Sequence, residues 1–186
     1  MKSFAILGWF GIPHRTHYQL GKYLSERGKV YFGIVQFFNN GEEVITKSRP
    51  LYGYERKNII ESWGFETFYW DFYNPYIKYF LPNYAVKMRQ EILNQLPENI
   101  TFYTRSPYAA SILNLLRLKV EYSPRSGISG SSIREKLYKG EYIEGLLPET
   151  LVVLEKVSSR LEKLSQEKDR TIKISGFKIP VEGFLK

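Results

Sequence analysis

The chain has 186 residues, 43% hydrophobic and 25% charged, with a net charge of +8, which is one domain with a modest extension and enough chain for a sizeable core. There is no cysteine, so disulfides, zinc–thiolate centres, iron–sulfur clusters and thiol nucleophiles are excluded. No stretch approaches the roughly 20 apolar residues of a membrane span; the basic excess points to anionic partners, whether nucleic acids, membranes or small phosphates, and the absence of a run of five or six like charges argues against a disordered nucleic-acid arm.

Phe4–Gly8 reads as a short buried strand and not as a signal peptide. A turn with Gly8, Gly11 and Pro13 follows, then a helix near Tyr18–Arg27 stopped by Gly28. Val30–Phe38, rich in β-branched and aromatic residues, is a second strand, and Asn39-Asn40-Gly41 a loop. Tyr54–Trp63 is helical and ends at Gly64; Phe65–Trp70 is a third strand. Asn83 caps a helix through Tyr84–Leu96, with Pro97 just beyond. Ile100–Thr104 is the fourth strand, Ser106-Pro107 opens a further helix, and Lys119–Tyr122 is the fifth strand. After Pro124-Arg125-Ser126-Gly127 come a helix over about 131–139 and one long amphipathic helix over about 148–166. Residues 171–186 are two extended pieces around Gly176, suited to a sheet edge or a neighbouring subunit.

This alternation predicts an α/β fold: a Rossmann-like open parallel five-stranded sheet, helices on both faces and a C-terminal helical extension. Residues 1–147 form the domain, and 148–186 pack on it. Ligands of such sheets bind beyond the carboxyl ends of the strands where strand order reverses, so the turn after the first strand is the place to look.

That turn, Gly8–His17, holds both histidines of the chain, His14 and His17. Two imidazoles three residues apart at a helix start can face one anion, aided by the helix dipole and its first amides. They could also be surface histidines, or hold a metal with ligands from elsewhere. A second constellation, Ile128–Leu137, opens a later helix with Ser129, Ser131 and Arg134. Hydroxyls, amides and a guanidinium there suit a triphosphate; an ordinary serine cap with a solvated Arg is the plainer reading. There is neither a Walker loop nor a Gly-x-Gly-x-x-Gly after the first strand. The aromatics crowd into Trp63–Tyr84, eleven in 22 residues. They are either core or a stacking surface for a planar ring.

Together the two motifs resemble the nucleotidylyltransferase superfamily, whose signatures are (His/Thr)-x-Gly-His after the first strand and Ile-Ser-x-Thr-x-x-Arg at a late helix. The archaeal-type nicotinamide mononucleotide adenylyltransferases are the most similar, with Gly-Arg-Phe-x-Pro-Phe-His-x-Gly-His and Ser-Gly-Thr-Glu-Ile-Arg. Gly8, Phe10, His14 and His17 match the first, and Ser129, Gly130, Ile133 and Arg134 the second, with Ser131 for the Thr. Arg49–Ile60, Trp70-Asp71, Phe102–Pro107 and Leu146–Glu149 resemble further family segments. Trp9 stands where the family has Arg, and Thr16 where it has Gly.

The resemblance implies adenylyl transfer in NAD biosynthesis: the phosphate of a mononucleotide attacks the α-phosphorus of ATP and pyrophosphate leaves. Catalytic roles fall on His14, His17 and Arg134. ATP contacts fall on Gly8, Trp9, Phe10, His14, His17, Ser129, Ser131, Ile133 and Arg134. Acceptor contacts fall on Lys47, Arg49, Arg56, Trp70, Asp71 and Tyr84; Arg56 could equally be the structural partner of a helix carboxylate. Mg²⁺ would be held mainly through the ATP phosphates, and a cytoplasmic homo-oligomer is expected. A transferase using another phosphorylated acceptor, or a non-catalytic nucleotide-binding module, are the alternatives.

Overall fold

Five parallel strands carry the architecture, and the central ones are apolar enough to be covered on both faces. In the computed structural model, residues 2–124, 127–168, 171–174 and 177–180 are described. β1 (Ser3–Gly8) pairs with β2 (Lys29–Asn39) on one side and with β5 (Ile100–Thr104) on the other; β4 (Glu66–Tyr73) extends the β2 side and β6 (Val120–Tyr122) the β5 side. The two-residue β3 (Glu42–Glu43) runs antiparallel to the end of β2. The parallel order β4-β2-β1-β5-β6 puts the reversal of strand order between β1 and β5, so the carboxyl ends of those two strands frame the crevice.

Alternation along the strands supplies two cores. Phe4 and Ile6 of β1 join Leu20 and Leu24 of α1 (Arg15–Ser25), Ile59 and Ile60 of α2 (Gly53–Ser62) and Ile133 of α5 (Gly130–Lys139). Ala5 and Phe102 face the other way, onto Met88 and Ile92 of α3 (Pro82–Leu93) and Leu113 of α4 (Pro107–Leu115). The C-terminal extension closes the first core through Leu154, Val157 and Leu161.

Several boundaries differ from the sequence reading, each for a local reason. α1 starts three residues earlier, because His14 itself is its cap. α3 starts at Pro82 after Leu81 instead of at an Asn83 cap, since proline suits the first helical position. The expected single helix over 148–166 is two, α6 (Pro148–Lys156) and α7 (Ser158–Gln166), broken at Val157 with φ −106° and ψ 16°. The extended pieces near the C-terminus pair with each other as β7 (Thr171–Ile174) and β8 (Phe177–Pro180). Residues 169–170, 175–176 and 181–186, with Arg125 and Ser126, lie outside the described residues.

The aromatic run is mostly core. Trp63 and Phe65 lie in one core; Phe68, Trp70 and Tyr76 lie in the other, with Phe72 and Tyr79 packed against them. Tyr73 is exposed.

Candidate active site

The site grows from the β1–α1 turn. Phe10 takes a left-handed backbone, φ 42°, a conformation that costs a non-glycine residue of order 1 kcal/mol. Its ring is buried, tilted against Phe32 at 5.4 Å and edge-on to His17 at 5.0 Å. The strained turn thus seats one histidine of the pair. His14 caps α1: its Nδ1 accepts from the Thr16 amide at 3.3 Å, and its own amide donates to His17 Nδ1 at 3.3 Å. The two rings lie 3.9 Å apart. With both Nδ1 atoms accepting, the neutral rings carry their protons on Nε2.

Burial first, and the Arg134 charge second, lower the pKa of His14 to about 4, so it stays neutral near pH 7 and offers a fixed Nε2–H. The unfolded chain, with an imidazole near 6.5, binds more protons between those values. Stability will therefore fall as pH drops from about 6.5 towards 4, by up to about 3 kcal/mol for this group. Urea unfolding at pH 7.5 and 4.5 will show the loss, and inorganic pyrophosphate will reduce it, because a bound anion favours the protonated ring. Equal midpoints at the two pH values would remove His14 as the cause.

The second motif meets the first. Thr16 Oγ1 donates to the Ile128 carbonyl at 3.4 Å, and the Arg15 amide to Gly145 O at 2.8 Å. Ser129 Oγ accepts from the Ser132 amide at 3.1 Å, capping α5. Arg134 Nη2 donates to Ser131 Oγ at 3.2 Å. A side chain at Gly130 would place Cβ 3.4 Å from Arg134 Nη1 and 3.8 Å from His14 Nε2. At Gly11 it would lie 2.8 Å from the Ser48 carbonyl and 3.5 Å from Arg134 Nη1. His14, Arg134, the β1–α1 turn, the segment around Ser48 and the start of α5 therefore converge.

The amides at the start of α1 correct one sequence expectation. Arg15 N and Thr16 N are already bonded to Gly145 O and the His14 imidazole. On that helix an anion must be met by imidazole, not by free backbone. At α5 the cap takes the Ser132 amide, and among the described residues the Gly130 and Ser131 amides have no partner. An open cleft of about 620 Å³ continues past this point, lined by Lys47, Ser48, Ser131, Arg134, Tyr138 and Lys139 among others.

The other residues singled out in the sequence fall in different places. Ile133 is 1% exposed in the core, where it anchors α5. Arg49 is buried, its guanidinium 5.5 Å from the Trp9 ring centroid and 4.8 Å from that of Phe37, donating to Val44 O at 2.6 Å. Lys47 Nζ donates to Ser165 O at 2.7 Å. Arg56 is wholly buried and pairs with Glu43 at 2.6 Å; it also donates to the carbonyls of Trp9 (2.6 Å), Val35 (2.9 Å) and Tyr52 (3.3 Å). Its partner is thus a strand carboxylate. Burial lowers the Arg56 pKa and Glu43 opposes this.

Trp70 and Asp71, neighbours on one strand, point to opposite faces. Trp70 lies in the α3-side core. Asp71 Oδ2 accepts from the Tyr73 hydroxyl at 3.3 Å, while Oδ1 is buried without a partner. Burial raises the Asp71 pKa, against the pull of that hydroxyl. Tyr84, on α3, meets Tyr79 edge-on at 5.8 Å. Sequence reading passed over Arg160, Glu43 and Tyr138. The Glu55-Arg56 pair of charges at a helix start was the one available signal, since their partners lie far off in sequence.

The fold is a Rossmann-like α/β one, a mostly parallel sheet flanked by helices. No protein-family model matches the sequence, and no curated protein matches it. Among solved structures, the bifunctional NMN adenylyltransferase/ADP ribose pyrophosphatase of Francisella tularensis, complexed with AMP and Mn ion, superposes with a TM-score of 0.66 at 15% identity, over 90% of this chain and 53% of that one. A second structure of that bifunctional protein gives 0.68 at 15% identity, over 89% and 53%. A candidate nicotinate-nucleotide adenylyltransferase from Vibrio parahaemolyticus gives 0.55 at 20% identity, over 88% and 98%. The chain thus spans about half the length of the bifunctional protein. Among the described residues no helix is long and apolar enough to cross a membrane.

Proposed function

We propose that the chain is a nucleotidylyltransferase that transfers AMP from ATP to the phosphate of a mononucleotide, nicotinamide mononucleotide giving NAD, with release of pyrophosphate. The convergence of His14 Nε2 and Arg134 on the start of α5, beyond the carboxyl end of β1, carries this reading. An acceptor phosphate oxygen forms the new bond to the α-phosphorus, and the bond to the bridging oxygen of the β-phosphate breaks. No protein nucleophile is required; the protein supplies position and charge.

In this reading neutral His14 donates through Nε2 to a phosphoryl oxygen, and His17 does so beside it. Arg134, Ser131 and the open amides of α5 receive the β- and γ-phosphates. Mg²⁺ would neutralise the triphosphate while held by phosphate oxygens and water, since the described residues contain no cluster of three metal-ligating side chains. Lys47, Arg49, Asp71 and Tyr84 are the proposed acceptor contacts, and Trp9, whose ring centroid lies 5.5 Å from the Arg49 guanidinium, is a proposed ATP contact beside them. Arg56 supports this side from beneath by holding the Trp9 carbonyl. The shared fold supports nucleotide chemistry of this class, and the setting is taken to be cytoplasmic.

Arg134→Ala will weaken ATP binding about 10-fold or more while leaving acceptor affinity nearly unchanged, as expected for a charge-assisted phosphate contact. Calorimetry with ATP and Mg²⁺ measures it, and equal affinity would refute the assignment. One observation favours a second reading, transfer to another phosphorylated acceptor. Trp9 occupies a family cation's place, and the Arg49 guanidinium lies 5.5 Å from the Trp9 ring centroid and 4.8 Å from that of Phe37. Product analysis with ATP or CTP and several acceptors separates the two.

A further inference from the structure

The geometry assigns Arg160, on α7, as a positioning residue for the acceptor side of the site. Naming the acceptor rests on the adenylyl-transfer reading; naming the segment that Arg160 holds rests on the contacts alone.

That segment, residues 44–52, joins β3 to α2 without regular structure. Its own closure is a tight turn, Thr46 N to Arg49 O at 3.1 Å and Arg49 N to Thr46 O at 2.9 Å. Its ends are tied to β2 and α2, Val44 N to Phe37 O at 2.7 Å and Arg56 Nε to Tyr52 O at 3.3 Å, and Arg49 Nη2 reaches Val44 O at 2.6 Å; a further set of contacts comes from the C-terminal third of the chain. Arg160 grips the Glu55 carboxylate with both prongs, at 2.6 and 2.7 Å, and reaches Pro50 O at 3.2 Å. Its guanidinium lies 4.6 Å from the Tyr52 ring centroid, and Glu55 in turn accepts the Tyr52 amide at 2.8 Å. The Tyr138 hydroxyl donates to Lys47 O at 2.9 Å, and Lys47 Nζ reaches Ser165 O at 2.7 Å.

The segment so held presses the Ser48 carbonyl against Gly11 and places Arg49 beside Trp9. A bidentate pair fixes both distance and plane, so it can hold a loop to the tolerance a reacting geometry requires. The Glu55 side chain is 8% exposed and that of Arg160 24%, which makes the pair less screened than a surface one. Arg160 touches neither His14 nor Arg134; it acts through the segment.

The test uses the full chain with Arg160→Gln and Arg160→Lys. Hydrogen exchange followed by mass spectrometry will show faster exchange over residues 44–56 in Arg160→Gln, with β1 and β5 unchanged. KM for the acceptor will rise about 10-fold or more, and KM for ATP less than about 3-fold. Arg160→Lys, which keeps the charge but not the two-pronged grip, will recover part of both effects. Unchanged exchange over 44–56, or an increase spread evenly through the sheet, overturns the assignment. So does a KM for ATP that rises as far as that of the acceptor. If the wild-type chain forms no dinucleotide with any acceptor, the reaction reading fails, and the exchange pattern alone decides whether Arg160 holds the segment.

Discussion

Replacing His17 with alanine will lower kcat for dinucleotide formation by roughly 10²-fold or more, the cost of losing a donor aimed at charge that develops on a phosphoryl group. The expectation follows from where the ring is held. Phe10 meets it edge-on at 5.0 Å, His14 lies 3.9 Å away, and the His14 amide occupies Nδ1. In the proposed reading it is Nε2 that addresses the substrate. His17→Gln, which keeps an N–H near that position, will restore part of the rate; a ring needed only for packing would not be rescued this way. Because His17 also completes the α1 cap, its loss costs about 1 kcal/mol of stability as well, so the rates belong with a melting curve for each variant. An unchanged kcat would remove His17 from the chemistry.

The largest effect on stability will come from Arg56. Arg56→Ala leaves the Glu43 carboxylate, 8% exposed, without its counter-charge, though Oε2 still accepts from Gln36 and the Gly53 amide, and it strips three carbonyls of a donor. Removing one partner of a buried ion pair costs about 3–5 kcal/mol. For a chain of this size that is a fall in Tm of roughly 6–20 °C. Arg56→Met combined with Glu43→Gln will be less harmful than Arg56→Ala, because no uncompensated charge remains. Denaturant midpoints for the two variants measure this; a loss below about 1 kcal/mol in Arg56→Ala would show that the pair is not what holds the Trp9 turn.

Much of this arrangement was legible in the sequence. Ile100–Thr104 is the strand expected, to the residue, and the parallel sheet follows from short apolar strands between helical stretches. Both motifs fall where the carboxyl-end rule places a ligand site. What the sequence concealed is of two kinds. Some local choices use unusual chemistry: a histidine capping α1 is outside the usual Ser, Thr, Asp and Asn repertoire, so the start of that helix was read three residues late. Other features are long-range. Whether Arg56 meets a ligand or a carboxylate depends on Glu43, and whether Trp70 and Asp71 work together depends on the faces of a strand. The aromatic run likewise could not declare itself, because most of its rings are shared out between two cores, and Tyr73 left exposed, only once the sheet exists. Thr16, a departure from the family pattern, also becomes intelligible in three dimensions: its hydroxyl joins the two motifs.

The grip of Arg160 on Glu55 spans 105 residues of chain. Contacts of that sequence separation close late, because the loop entropy must be overcome before the contact rewards it. During synthesis, which releases the N-terminal part first, the β1–α1 turn and the start of α5 are available before α7. The segment around Ser48 and Arg49 must wait for it. The contact that joins the β1–α1 turn to the residues before α5, Thr16 to Ile128, spans 112 residues, so it too closes late, and the segment around Ser48 and Arg49 takes its final shape last, when α7 docks.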